Sequence, residues 1–301
     1  MSSAPDCRYH RLAMRFSLIV LCCNKLACTR RCLGAVVQHS TLDDPWELVV
    51  VDNGSTDGTR DWLAGELRTL ATRHNLRLTV LTNDRNVGCS TARNQAIAVA
   101  TGQYLVFLDN DVSPRTRAWL PQLAAELAAH PRAALVGPKL IYPHPPHLIQ
   151  CAGVGISSRG HVCFRGRGEP RNDPRFNQAE PMQCLISACL LARADLVREL
   201  GGFDEAYNPV QFEDFDLCYR LRNQGWEVRY FPAVEIYHFE STTTQGTPTV
   251  INPAVVVRNG LTFQRRWRQL FTREDGPTEE ACRWRQVPTV PFETIGELPL
   301  V

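Results

Sequence analysis

The chain has no stretch both long and apolar enough to span a bilayer. Its apolar run Phe16–Cys23 is about half the roughly 20 residues a membrane helix needs. Arg8, Arg11 and Arg15 precede it and imitate a signal peptide, but Asn24-Lys25 ends it abruptly and no small-residue cleavage site follows. A buried strand is expected there, and any membrane role would be peripheral. An excess of charge is missing as well. Lys and Arg total 33 against 31 Asp and Glu, a net of +2, so no global field points to nucleic acid or an anionic membrane. Cys-x-x-Cys pairs do not occur, which argues against a structural zinc site. Internal repeats and low-complexity tracts are absent too.

Cysteine itself is plentiful, at twelve residues. The chain, at 301 residues, is too large to need disulfide staples, and its cysteines sit inside apolar runs. They read as reduced, buried small hydrophobes, which implies the cytoplasm, with peripheral contact at the inner membrane face as the furthest extension. A hydrophobic content of 44% and a charged content of 21% are those of a globular protein.

Apolar runs then alternate with helix-like segments. Strands are expected at Phe16–Cys23, Glu47–Val51, Leu76–Leu81 and Gln103–Leu108. Helices are expected at Thr29–His39, Thr59–Arg73 and Ser90–Ala100. This alternation predicts an α/β fold with a mostly parallel central sheet and helices on both faces, in which ligands bind beyond the carboxyl ends of the strands. After a helix at Pro121–His130, residues 138–180 are rich in Pro, Gly, His and Arg and read as hairpins and loops. Order is expected to resume with Met182–Arg193, helices near 194–200 and 212–224, and a late strand Glu227–Phe231. Residues 1–14 read as a loose tail and 266–301 as a surface segment.

The unusual polar residues fall at the strand ends. Val49-Val50-Val51-Asp52-Asn53-Gly54-Ser55-Thr56-Asp57-Gly58 is a strand running into a capped turn, whose Asp52 can accept hydrogen bonds from a base or ribose. Asn86-Val87-Gly88 leads into Ala92-Arg93-Asn94 near a helix start, where an anion or base can be held. Tyr104-Leu105-Val106-Phe107-Leu108-Asp109-Asn110-Asp111 closes a very apolar strand with two carboxylates. Burying two like charges is costly unless a cation sits beside them, and carboxylates completed by phosphate oxygens are what Mg²⁺ and Mn²⁺ prefer. Gly201-Gly202-Phe203-Asp204-Glu205 precedes Phe212-Glu213-Asp214-Phe215-Asp216. These three carboxylates suit a helix N-terminus, and one of them can act as a general base. Tyr237-His238-Phe239-Glu240-Ser241 sets a histidine among aromatics, which taken alone reads as a core residue with metal chemistry in reserve.

Taken in order, VVVDNGSTDGT, NVG with ARN, YLVFLDND, GGFDE, FEDFDLCYRLRNQGW and YHFES resemble the inverting family 2 glycosyltransferases of the GT-A fold, over residues of about 15 to 250. The resemblance implies a Rossmann-like GT-A domain over 15–265, with a nucleotide-binding half at 15–115 and an acceptor half, smaller and mixed, at 116–265. It implies a nucleotide-diphosphate sugar donor, a divalent metal (Mn²⁺ or Mg²⁺), and an acceptor hydroxyl on a glycan, lipid-linked glycan or small molecule. Asp52, Asn86, Arg93, Asp109, Asn110 and Asp111 would serve the donor. Asp111 and His238 would bind metal, and Asp214 would be the catalytic base. Asp204, Glu213 and Asp216 would support the acceptor side. One displacement would invert the anomeric centre.

The chain departs from the family pattern at two places. Leu21-Cys22-Cys23 stands where the family's first strand ends in Pro-Thr-Tyr, and Phe263 heads Phe263-Gln264-Arg265-Arg266-Trp267 where processive members carry Gln. Transfer of a single sugar is therefore expected. Two other readings remain. A sugar-nucleotide nucleotidyltransferase calls for a Gly-rich basic loop after the first strand, and here Lys25 and Arg30-Arg31 stand without the glycines. A non-catalytic nucleotide-sugar-binding module has no evident use for the full carboxylate set.

Overall fold

The computed structural model describes residues 15–40, 45–240 and 253–301. The expected tail at 1–14 and Ser241 lie outside them. Four strands, β1 (Phe16–Cys22), β2 (Trp46–Asn53), β3 (Arg77–Asn83) and β4 (Tyr104–Asp109), form an all-parallel block in the order β3-β2-β1-β4. Their connections are α1 (Leu26–His39), then α2 (Thr59–Trp62) running through a π turn at Leu63–Leu67 into α3 (Arg68–Arg73), then α4 (Cys89–Val99). β1 and β4 are buried almost throughout, as strands covered on both faces must be.

Beyond β4 the sheet becomes mixed. β5 (Val112–Pro114), α5 (Trp119–Ala129), β6 (Ala133–Ile141), β7 (Ile149–Cys151), the β8–β9 hairpin (Val154–Ile156, Val162–Phe164) and β10 (Glu180–Pro181) follow in turn. Then come β11 (Cys189–Arg193), α6 (Ala194–Glu199), α7 (Glu213–Asn223), β12 (Glu227–His238) and α8 (Pro253–Phe271). The complete order is β10-β12-β6-β11-β4-β1-β2-β3, with β5 and β7 paired to β12 and β6. β11 runs antiparallel to β4 and to β6, while β12 runs parallel to β6. The C-terminal ends of β12 and β4 and the N-terminal end of β11 therefore meet at one edge of the sheet.

Two expectations are corrected here. Part of the segment read as loops, 138–141, belongs to β6, whose nine residues are all buried. The late strand does not stop at Phe231 but continues to His238. Proline hid both, since Pro138 and Pro232 bring no N–H to a ladder and argue against a central strand. Pro138 stands opposite Phe231, and the register of β12 on β6 shifts between Phe231 and Glu235. A bulge is where a sheet tolerates proline. The helix α8 also crosses residue 265, so the expected surface segment begins inside a helix whose Phe263, Trp267 and Phe271 are buried.

All eleven described cysteines are free thiols, eight of them buried. Among the described residues no helix is long and apolar enough to cross a membrane.

Candidate functional site

At that shared edge lies a cleft of about 470 Å³, lined by Asn53, Asn86, Arg93, Asp109, Asn110, Asp111, Gln150, Ser187, Glu213, Asp214 and His238 among others. The sheet brings His238, the last residue of β12, against the turn after β4. His238 Nε2 stands 3.2 Å from Asp111 Oδ1, and the Phe239 amide donates to the Asp111 carbonyl at 2.9 Å. Asp109, Asp111 and His238 each offer a ligand atom, and these atoms lie within 4.8 Å of one another.

Metal chemistry fits these residues on one further observation. The side-chain oxygen of Gln150, a buried residue of β7, meets His238 Nδ1 at 2.6 Å. A proton on Nδ1 then leaves Nε2 and its lone pair directed at the carboxylates, the orientation an imidazole ligand needs. Burial alone would lower the His238 pKa, but the Asp111 carboxylate reverses this and the net shift is upward. Gln150 has no signal in the sequence, because β7 falls in the unpatterned region.

Arg93 sits at the back of the cleft, 4% exposed. It donates to Asp109 Oδ1 at 3.0 Å and Glu213 Oε1 at 2.8 Å, with its guanidinium over the Phe203 ring. Burial opposes its charge, but Asp109 and Glu213 raise its pKa and keep it protonated. It ties the end of β4 to the start of α7. The α4 start does not offer its first amides to an anion: Cys89 N donates to the Pro209 carbonyl and Ser90 N to Asn208 Oδ1. Asn94 turns the other way and holds the Gly202-Phe203 loop through both its amide atoms.

Asp214 faces the same cleft half-buried. Its Oδ2 accepts from the Ser187 amide at 3.1 Å and its Oδ1 from the Phe215 amide at 2.9 Å. Burial, then the neighbouring Glu213, push its carboxyl up to about 7 against those amides and Arg93. Glu213 is also raised, by burial first, with Arg93 opposing. A carboxylate in a cleft with a pKa near neutrality can accept a proton from a hydroxyl and release it again.

Three expected site residues do not line the cleft. Asp52 is fully buried, its Oδ1 taken by the Ser55 amide at 3.0 Å and its Oδ2 by Arg60 Nε at 2.9 Å. It holds the turn, and its neighbour Asn53 lines the cleft. Gly54, at φ 83°, lets that turn lie on the Arg85-Asn86 backbone, because a Cβ there would meet Arg85 C at 2.5 Å. Asn86 completes the wall, accepting from Asn53 Nδ2 at 3.0 Å. Asn110 lines the cleft but donates its amide to Thr29 Oγ1 at 2.8 Å. Asp204 caps a short turn and pairs with Arg266.

Asp216, fully buried, is the third. It accepts from Arg220 Nε at 2.7 Å, Arg266 at 2.8 Å, Trp267 Nε1 at 3.0 Å and Tyr207 Oη at 3.2 Å. The Arg266-Trp267 pair of the near-match motif thus locks α8 to α7. Asp216→Ala is expected to cost about 3 kcal/mol, since it strands the buried Trp267 and Tyr207 donors and the half-buried Arg220, or ~10 °C in Tm. A calorimetric melt measures this, and an unchanged Tm would contradict it.

A larger cavity of about 650 Å³ lies between the β8–β9 hairpin and residues 275–285, and Val162, Phe164 and Trp284 line both spaces. Three of the four arginines that line it are engaged: Arg165 with Glu180, Arg167 with Glu240, Arg285 with Glu169.

A mostly parallel central sheet with helices and a polar cleft at its strand ends define an α/β fold. The family model for Glycosyl transferase family 2 matches residues 17–198, more than half of the chain, and the chain belongs to this family. It is 30% identical over 234 residues to the uncharacterized protein y4gI of Sinorhizobium fredii, covering 76% of this chain and 25% of that one. It is 28% identical over 233 residues to the N-acetylglucosaminyl-diphospho-decaprenol L-rhamnosyltransferase of Mycobacterium tuberculosis, covering 68% and 70%. The chain thus spans a quarter to a third of the length of the first curated relatives it matches. Among solved structures, GalNAc-T7 with UDP, GalNAc and Mn²⁺ superposes with a TM-score of 0.68 at 16% identity, over 86% of this chain and 50% of that one. That likeness gives the GT-A fold.

Proposed function

We propose that this chain transfers a single sugar from a nucleotide-diphosphate donor to an acceptor hydroxyl, with inversion at the anomeric carbon. The observation that carries this is the meeting of two groups of residues in one cleft: the Asp109, Asp111 and His238 cluster, and the Asp214 carboxylate with its pKa near 7.

Residues 15–115 would serve the donor and 116–265, with the rest of α8, the acceptor. Asn53 and Asn86, joined at 3.0 Å, line the donor end, with Asp109 and Asn110 next to them; Asp52 supports them through the turn it holds. A divalent cation, Mn²⁺ or Mg²⁺, held by Asp111 and His238 would neutralise charge on the diphosphate as it leaves. Gln150 fixes the imidazole, and Arg93 holds Asp109 in place. Asp214 accepts the proton of the acceptor hydroxyl, whose oxygen then attacks from the side opposite the diphosphate. Glu213, paired with Arg93, places Asp214 at the first turn of α7. No covalent enzyme intermediate is needed. The acceptor would enter past Phe164 and Trp284, which join the two cavities.

The donor is identified by thermal melts with UDP-, GDP- and dTDP-sugars, each with and without Mn²⁺. One donor at about a hundred times its Kd adds roughly 2.7 kcal/mol, or ~5–10 °C, only when metal is present. No metal-dependent shift with any donor would sink the proposal. A shift followed by neither transfer nor hydrolysis would favour a binding module.

A further inference from the structure

The whole chain carries a net charge of only +2, yet residues 253–273 hold five arginines and no carboxylate. They form α8 and the turn after it. Among the described residues, only Arg266 of the five pairs with carboxylates, those of Asp204 and Asp216. Arg265 bonds only within its own helix, to the Leu261 carbonyl and the Thr262 hydroxyl. Arg268 and Arg273 are exposed, and among the described residues neither has a carboxylate partner.

Helical spacing puts Val257, Leu261, Arg265 and Arg268 on one stripe. Val257 is 60% exposed, more than any other large apolar side chain among the described residues, and Leu261 is 52% exposed. Asn259, Phe263, Trp267 and Phe271 occupy the opposite, buried stripe. The inner face is tied to the cleft. Val256 lines the cleft, and Asn259 donates to the carbonyls of Tyr207 at 2.6 Å and Val210 at 2.9 Å, in the loop that forms the cleft wall before α7.

We infer that the outer face of α8 docks on an anionic lipid bilayer. Val257 and Leu261 would enter the headgroup boundary while Arg265 and Arg268 meet lipid phosphates. An interfacial helix combines these two features, apolar residues and uncompensated cations on one exposed side. Docked in this way, α8 holds the mouth of the cleft against the membrane surface. The surface stands apart from the transfer reading: vesicle binding can fail with transfer intact, and transfer can fail with binding intact.

The test is co-sedimentation of the whole chain with phosphatidylcholine vesicles, with and without one-quarter phosphatidylglycerol. At about 50 mM salt, where screening is weak, the chain is expected to bind the phosphatidylglycerol vesicles at least about tenfold better than the neutral ones. Roughly fivefold per arginine makes Arg265→Gln/Arg268→Gln weaker by about 25-fold, and Leu261→Asp weaker again, both with an unchanged melt because all three side chains are exposed. Three results would overturn the inference: no preference for phosphatidylglycerol, full binding by both variants, or a wild-type dimer in sedimentation velocity that these substitutions disperse.

Discussion

Asp214→Asn is expected to lower the rate of sugar transfer by about 10³-fold or more, while donor affinity in the presence of metal stays within about twofold. General-base assistance contributes about 10²–10⁴. In the proposed mechanism the base would take the proton of the nucleophile itself, so its loss belongs toward the upper half of that range. The fold should survive. The substitution removes a carboxylate whose charged form burial and Glu213 disfavour, and it loses one acceptor for the Ser187 or Phe215 amide. These effects oppose each other, and Tm should move by no more than about 3 °C. The pH dependence has a definite sign. The folded pKa lies above the ordinary carboxylate value, so the protonated form dominates below about 7, and kcat/KM should rise with pH through that region. In Asp214→Asn the residual activity should lose this limb. The same raised pKa means that Asp214 favours the fold at low pH and ceases to as pH rises through 7. Quench-flow transfer assays beside donor-binding calorimetry measure both parts. Turnover near the wild-type rate would remove Asp214 from the mechanism.

The second large effect is at Asp111. Asp111→Asn keeps the size of the side chain but removes one of the two side chains proposed to hold the cation. Lewis-acid stabilisation is worth several kcal/mol, and each 1.36 kcal/mol is a factor of ten, so a loss of about 10³ in kcat/KM is expected. Unlike Asp214→Asn, this variant should also lose the Mn²⁺-dependent part of donor binding. The two variants therefore separate the roles: one abolishes turnover with binding intact, the other abolishes both. An Asp111→Asn enzyme with wild-type affinity for Mn²⁺ and donor would place the metal elsewhere.

How much of this was legible depended on where the information lay. β1, β2 and β4 are short apolar runs ending in polar residues, and the runs locate them to within a few residues. β6 and the far half of β12 were hidden by Pro138 and Pro232, which a strand accepts only at an irregularity that sequence does not reveal. Asp111 and His238 are far apart in the chain. Only the resemblance joined them on paper, and the sense of the strands joins them in space. Local bonding explains why Asp52 and Asp216 stand back from the cleft. Asp52 stands at a strand tip, as a ligand-binding carboxylate would, but the Ser55 amide and Arg60 had already claimed it. Asp216 shares a helix start with Asp214, yet one position points to the cleft and the other to the core. Gln150 and Ser187 bond to His238 and Asp214 and carry no sequence signal, because these contacts exist only after β7 and β11 have docked.

The central claim is that Asp111 and His238 hold a cation at the diphosphate, within reach of Asp214. The most direct measurement is anomalous diffraction at the manganese edge from crystals grown with Mn²⁺ and a nucleoside diphosphate. One strong peak is expected within coordination distance of an Asp111 carboxylate oxygen and His238 Nε2, with the diphosphate beside it in the cleft. A manganese peak away from both residues, or a diphosphate in the cavity beside residues 275–285 with none in the cleft, would contradict it.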